Sequence, residues 1–429
     1  MFQKRWRSPL TKFYFTTLSS RSPLPSPQQP SKQHVVRFRD LQQFIRTKSA
    51  VDDAHVRQMI IMQQYTPMRY LGKGRFGKVF LCSNNLTKEN YAIKVLNVER
   101  DRKEYNWTWL TAEERLQSQN DAKKLREFLD TLSPGLVKDH MLRAEQMMLD
   151  IMKKEENPLL RRIRRPVAER EILVRIGPHP FVANLISSFR DNRFMFLVFD
   201  YFPLGNLQKL ISIEKRFSED ETCYFASQLL LALEFLQNKN VAHRDVKPSN
   251  ILLTREGHLA LADFGLATRL RGGLKTFCGT AEYIAPEVLS EKMWSAAGLD
   301  LWAFGITLYQ LLVGKTPFEA PDATSVFLNT LTAPLKFPDF LSPCAKDLLT
   351  KIINREASSR PSYQQVKQHD FFKHVNWEEL LKKTVKAPDS LKPKLLKLAE
   401  EKTEENLLLT QRRQQGNHGR RFDSLIQGD

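Results

Sequence analysis

Val241-Ala-His-Arg-Asp-Val-Lys-Pro-Ser-Asn250, followed by Leu261-Ala-Asp-Phe-Gly265, decides how the rest of the 429-residue chain is read. Between the two polar clusters lie apolar Ile251-Leu-Leu253 and Leu259-Ala-Leu261, interrupted by Arg255-Glu-Gly257. Short apolar runs around a glycine-containing break predict two strands joined by a tight turn. Such a hairpin holds the polar groups at its two ends in one place. Asp245 can accept a hydroxyl proton. Asn250 and Asp263 offer the hard oxygen ligands that Mg²⁺ prefers. Lys247 can neutralise charge on a phosphoryl group in transfer.

Working outward, Leu71-Gly-Lys-Gly-Arg-Phe-Gly-Lys-Val-Phe80 places glycines at 72, 74 and 77 between two β-prone segments. Glycine lets a backbone approach phosphates closely and takes positive φ freely. The G-x-G-x-x-G spacing is shared with dinucleotide-binding folds, where it opens a helix. Here Val79-Phe-Leu-Cys82, a turn at Asn84-Asn85 and Tyr91-Ala-Ile-Lys-Val-Leu96 follow, which reads as strand, turn, strand. Lys94 would be buried in the last of these.

Lys plus Arg total 66 against 48 Asp plus Glu, a formal charge of +18. That balance favours anionic partners: nucleotide phosphates, acidic lipid or nucleic acid. Much of the excess is expected on solvated tails. No aromatic–basic interleaving of an RNA platform is present, so nucleic acid or acidic membranes are auxiliary partners at most. At 41 % hydrophobic the chain can build a core and is not a disordered one. Cys82, Cys223, Cys278 and Cys344 lie far apart, which suggests no disulfide framework and no zinc site. A reducing compartment is expected, cytoplasmic or shared with the nucleus. No apolar run reaches the ~20 residues of a transmembrane helix. The first acidic residue is Asp40, after a basic, Ser/Pro-rich stretch. Pro9, Pro23, Pro25, Pro27 and Pro30 would break an amphipathic targeting helix, so 1–64 reads as a largely disordered tail.

Residues 100–165 are heavily charged, with Trp107, Trp109 and a Met/Leu-rich stretch around Met147-Met-Leu149 at helical spacing. They read as an inserted helical or charged segment, alternatively as a docking helix. The basic run Arg161-Arg-Ile-Arg-Arg165 precedes a helix beginning at Val167-Ala-Glu169. Residues 375–429 read as a Lys/Glu/Leu-rich helix followed by polar residues.

The catalytic-loop pattern H-R-D-x-K-x-x-N and the metal loop D-F-G, with the glycine loop and Ala285-Pro-Glu287, resemble the eukaryotic protein kinase family over about residues 65–374. Thr276-Phe-Cys-Gly-Thr280 and the exit Phe371-Phe-Lys-His-Val-Asn-Trp377 look like the AGC serine/threonine group, near the ribosomal S6 kinase-like branch. The resemblance implies an α+β, bilobal fold. The N-lobe would be 65–202, β-rich and interrupted by the insertion, and the helical C-lobe 203–374. It implies ATP and Mg²⁺, protein substrates and an upstream activating kinase.

By the same resemblance, Lys94 would bind the α/β phosphates with Glu169 as its ion-pair partner. Asp245 would be the catalytic base, with Lys247 beside it and Asn250 and Asp263 on the metal. The nucleotide would meet Gly72, Lys73, Gly74, Arg75, Phe76, Gly77, Lys78, Val79 and Ala92. Phe199 would stand at the back of the pocket, and the backbone from Asp200 to Phe202 would meet the adenine edge. Thr276 would be the regulatory phosphosite, with Arg244 as a cationic partner for its phosphate. Thr280 would sit by Asp245 and Lys247. Asp300 would anchor the catalytic loop, and Arg360 would pair with Glu287.

Three departures stand out. Asn206 and Gln310 occupy positions where arginine-selecting members carry carboxylates, and a neutral amide pairs poorly with arginine. The tail lacks the aromatic motif that docks on the small lobe. His243 replaces a common Tyr. The alternative reading is a pseudokinase scaffold that keeps the fold as a docking module, with the insertion holding Glu169 away from Lys94.

Overall fold

A computed structural model describes residues 64–74, 77–97, 158–190, 194–270, 279–290 and 296–415. The tail before Gln64 and most of the 100–165 segment lie outside the described residues.

The β-prone runs form strands β1 (Tyr65–Gly74), β2 (Gly77–Asn84), β3 (Asn90–Asn97), β4 (Leu185–Arg190) and β5 (Phe194–Asp200). They build one antiparallel sheet in the order β1-β2-β3-β5-β4. Alternation along β3 sorts its side chains. Ile93 and Val95 pack with Tyr65, Phe80, Phe196 and Val198 on one face. Leu96 packs on the other with Met195, Leu197 and Val167. Lys94 shares the parity of Leu96, so it points toward helix α1 (Pro158–Ile176), which bears Val167. That helix starts well before Val167, and the 161–165 basic run lies within its first half rather than ahead of it.

Gly77 has a reason the phosphate argument does not give. A Cβ there would collide with the carbonyl oxygen of Val95, so β2 lies against β3 only with glycine at this point. Around Gly72, by contrast, the space is open.

The second lobe is helical: α2 (Leu207–Glu214), α3 (Glu219–Asn238), α4 (Pro286–Ser290), α5 (Ala296–Val313), α6 (Ala323–Thr332), α7 (Pro343–Ile352) and α8 (Tyr363–Lys367). Ser218 and Glu221 close a reciprocal capping box that starts α3. The apolar faces of α3 and α5 meet in a core that includes Phe225, Leu229, Trp302, Phe304 and Ile306. The same core contains Leu380 of α9 (Trp377–Leu381) and Leu391, Leu395 and Leu398 of α10 (Leu391–Gln415). The tail up to residue 398 is therefore packed into this lobe.

No helix among the described residues is long and apolar enough to cross a membrane. Cys82, Cys223 and Cys344 are free thiols.

Between α1 and β4, His179 stacks on Phe235 at 4.5 Å and accepts the Phe181 N–H on Nδ1. Burial, reinforced by Lys383, lowers its pKa from 6.5 to about 4. His258 is lowered for the same reasons. The folded state thus prefers neutral rings while the unfolded chain protonates near 6.5. This contribution is whole above pH 6.5 and is lost as pH falls toward 4. The expected melting temperature drops across that window, and His179→Gln drops less than wild type in the same pH series.

Candidate active site

The hairpin read from the sequence is present as β7 (Ile251–Leu253) and β8 (Leu259–Leu261), paired in register Ile251–Leu261, Leu252–Ala260 and Leu253–Leu259. It follows β6 (Val241–Ala242), which pairs with β9 (Thr268–Arg269). The loops at the hairpin's two ends meet. Asn250 donates its Nδ2 to the Asp245 carbonyl at 2.8 Å and to Asp245 Oδ2 at 2.9 Å. Lys247 Nζ is 2.9 Å from Asp245 Oδ2. Thr280 donates to Asp245 Oδ1 at 3.0 Å and accepts from Lys247 Nζ at 2.5 Å. Asp245, Lys247, Asn250 and Thr280 therefore form one hydrogen-bonded unit, with Thr280 where the family resemblance implies it.

One buried carboxylate fixes the loop from behind. Asp300 accepts the His243 and Arg244 backbone N–H groups at 2.7 and 2.8 Å. That clamp holds Arg244 in the left-handed region, at φ 66°. The His243 side chain does what its motif letter alone did not reveal. Its Nδ1 accepts the Asp245 N–H, which places the ring proton on Nε2, facing the Ala262 carbonyl at 2.9 Å. One imidazole thereby ties the loop of Asp245 to the loop of Asp263. Arg244 itself donates Nε to the Leu266 carbonyl at 2.7 Å.

Across the cleft, Lys94 Nζ is 2.7 Å from Glu169 Oε1 and 2.8 Å from Asp263 Oδ1. The expected Lys94–Glu169 pair is thus closed, and the direct contact with Asp263 adds a third member. Burial alone would discharge Lys94, but the two carboxylates outweigh it and raise its pKa. Burial pushes Asp263 up, yet the charge and hydrogen bond of Lys94, with the Gly265 N–H, hold it below the ordinary carboxylate range. Asp263 sits at φ 61°, ψ 76°, a left-handed conformation stabilised by its own contact with the Gly265 N–H.

The donor set fits a hard divalent cation. With Nδ2 of Asn250 committed to Asp245, its carbonyl oxygen is the atom left to ligate. Asp263 keeps Oδ2 beyond the oxygen that meets Lys94 and Gly265. Among the described residues no group of three or more His, Cys, Asp or Glu side chains forms a metal cage. One carboxylate and one amide oxygen suit a Mg²⁺ shared with ligand phosphates.

The other expected nucleotide contacts that are described lie on β1, β2, β3 and the end of β5. Gly72 is on β1, Gly77, Lys78 and Val79 on β2, and Ala92 and Lys94 on β3. Ala92 pairs across the sheet with Phe199, and β5 ends at Asp200, from which the chain passes through Phe202 into the helical lobe. Lys73 and Gly74 are placed only as positions of β1. Arg75, Phe76 and Thr276 lie outside the described residues.

Asn206 and Gln310 each hold a structural hydrogen bond of their own. Asn206 caps α2, accepting the Lys209 N–H at 3.0 Å. Gln310 accepts Tyr283 Oη at 2.5 Å and donates to Gln208 Oε1 at 3.4 Å. The pair Arg360–Glu287 is bidentate at 2.7 and 2.6 Å, with side chains only 1 % and 4 % exposed.

A family model described as protein kinase domain matches residues 135–372. The chain is 37 % identical to cAMP-dependent protein kinase type 3 of Saccharomyces cerevisiae over 272 residues, covering 61 % of this chain and 68 % of that one. It is 38 % identical to a RAC family serine/threonine-protein kinase homolog of Dictyostelium discoideum over 230 residues, 52 % of this chain and 51 % of that one. Serine/threonine-protein kinase sgk-1 of Caenorhabditis elegans is 28 % identical over 374 residues, 83 % of this chain and 68 % of that one.

Proposed function

Since the chain belongs to the protein kinase family, as a serine/threonine kinase of the AGC group, we propose that it transfers the γ-phosphoryl group of ATP to protein Ser/Thr hydroxyls at the cleft just described. The observation that carries this reading is the closed set Glu169–Lys94–Asp263, at 2.7 and 2.8 Å, opposite Asp245. A scaffold with Glu169 held away would leave Lys94 a different partner.

Lys94, kept charged and aimed by Glu169, positions the phosphates. Mg²⁺, when held by Asn250 and Asp263, neutralises charge on the phosphate oxygens. Asp245 orients the attacking hydroxyl and takes its proton. Lys247 faces the charge of the transferred group. The β1–β2 glycine loop covers the phosphates and keeps water out. Thr280, already within hydrogen-bond distance of both Asp245 and Lys247, marks where an acceptor hydroxyl competes for the same partners. Catalysis comes mostly from positioning and electrostatics.

Phosphate on Thr276, placed there by an upstream kinase and met by Arg244, is the proposed activating signal. The uncharged pair Asn206 and Gln310 argues against a strong preference for arginine upstream of the target. The S6 kinase-like placement, cytoplasmic and nuclear location, and auxiliary binding to acidic membranes or nucleic acid are part of the same proposal.

A peptide-array profile of the purified chain with Mg²⁺ and ATP, with and without phosphate on Thr276, tests the reading. Labelled Ser/Thr peptides, more with the phosphate, are expected. Absence of label under both conditions would remove it.

A further inference from the structure

The entry of α2 is pinned beside the loop of Asp245 and Asn250. Gly205 accepts the Leu253 N–H at 2.8 Å, and Asn206 pairs with Leu252 across an antiparallel bridge. Both partners lie on β7, which starts directly after Asn250. On the other flank, Tyr283 stands one turn after Thr280 and gives its N–H to the Thr280 carbonyl at 2.9 Å. Asp245, Thr280 and Tyr283 line one cavity. Gln310, buried on α5, joins the two flanks through its side chain, reaching Tyr283 on one side and Gln208 of α2 on the other.

Tyr283 sets the direction of this relay. Burial, with Glu282 and Asp245 close by, holds its phenol above the ordinary range, so Oη keeps its proton and donates it to Gln310 Oε1 at 2.5 Å. With its oxygen taken, the Gln310 amide turns Nε2 to Gln208 and donates to Oε1 there at 3.4 Å. Gln208 is half-buried and ends the relay. Its Nε2 donors and the second lone pair of its Oε1 are left for another group. Asn206, two residues earlier, spends Oδ1 on the Lys209 N–H, which leaves its own Nδ2 as a further donor.

Few side chains match what Gln208 offers. Arginine and lysine bring donors only and would meet amide donors. A carboxylate accepts only, and it would come close to Glu282 and Asp245, whose charges already act on Tyr283. The cation in the same turn does not offset them, because Lys209 faces Glu401 at 3.1 Å. A primary amide both donates and accepts, so it pairs reciprocally with the Gln208 amide. We propose that Gln208, aimed by Gln310 and Tyr283, selects protein substrates carrying glutamine or asparagine upstream of the target hydroxyl. That the selected group belongs to a phosphorylation substrate, and lies upstream of its target, rests on the function proposed above; the hydrogen-bond directions do not.

The test is a set of serine peptides in which each upstream position in turn carries Gln, Asn, Ala, Arg or Asp, phosphorylated by the full chain. At one upstream position wild type should label the Gln and Asn peptides about fivefold above the Ala, Arg and Asp peptides, the size of one net hydrogen bond. Gln208→Leu should bring the Gln/Ala ratio to about one. Gln208→Glu should move the preference to Arg, since a carboxylate pairs with guanidinium in bidentate fashion. Anisotropy of the same peptides carrying a fluorophore, without ATP, should give Kd values in the same ratios. Equal labelling of the Gln, Ala and Arg peptides by wild type would overturn the inference, as would a Gln preference that survives in Gln208→Leu. A wild-type chain that labels no peptide would sink the proposed function instead, and the Kd ratio of the Gln and Ala peptides then decides the selection: about fivefold supports it and equality overturns it.

Discussion

Asp245→Asn is expected to lower kcat for peptide phosphorylation by about 10²–10⁴-fold, the range for removing a positioned acid or base. Stability and nucleotide KM should stay close to wild type. The substituted amide still fits between Asn250 and Thr280, which now hold Asp245 at 2.9 and 3.0 Å. What it loses is the ability to take the hydroxyl proton and the charge that holds Lys247 at 2.9 Å. Steady-state kinetics with a thermal melt of the same sample separates the two effects. A variant that melts normally and retains more than about a tenth of wild-type kcat would remove Asp245 from the proton-accepting role.

The second large effect is on the fold. Arg360→Ala should cost about 3–5 kcal/mol of stability, because it leaves Glu287 as an uncompensated buried carboxylate. Arg360 also donates to the carbonyls of Asn354 and Gly298 at 2.8 and 3.0 Å and lies over Trp302 at 5.0 Å. Glu287 stands in α4, at the end of the segment that begins with Thr280, so release of the pair should loosen the contact between Thr280 and Asp245 as well. Replacing both partners together, Glu287→Leu with Arg360→Met, should recover much of the loss, since an apolar pair of similar size has no desolvation penalty to offset. Denaturant unfolding of the two variants checks both statements. Equal losses in the single and double variants would show that the ion pair is not the cause.

Much of this site was legible in the sequence because its chemistry is written locally. Asp245, Lys247, Asn250 and Asp263 flank a short hairpin whose apolar runs fix the register, so spacing alone brings them together. Lys94 could be placed by strand parity on β3. Glu169 could be placed only by resemblance, since nothing local marks one glutamate of α1 above another. The direct Lys94–Asp263 contact was not readable, because it depends on how far the lobes close. Nor was the role of His243, whose two ring nitrogens join loops that the motif reads separately. The tail shows the same limit. Its leucine spacing announces a helix, but the seat for that helix is built from Glu221, Glu214 and Gly257, which lie far away in the chain. Gly77 belongs to a phosphate-loop pattern, yet its contact with Val95 shows that sheet packing alone excludes a side chain there.

The most direct measurement is transfer of label from γ-labelled ATP to a serine peptide, run across a Mg²⁺ titration for wild type and Asp263→Asn. If Asp263 and Asn250 hold the cation beside Lys94, wild type should show transfer that saturates with Mg²⁺ and vanishes with a chelator, and Asp263→Asn should lose about 10²-fold or more at any Mg²⁺ concentration. Transfer by Asp263→Asn at the wild-type rate, with the same dependence on Mg²⁺, would contradict the placement of the reaction in this cleft.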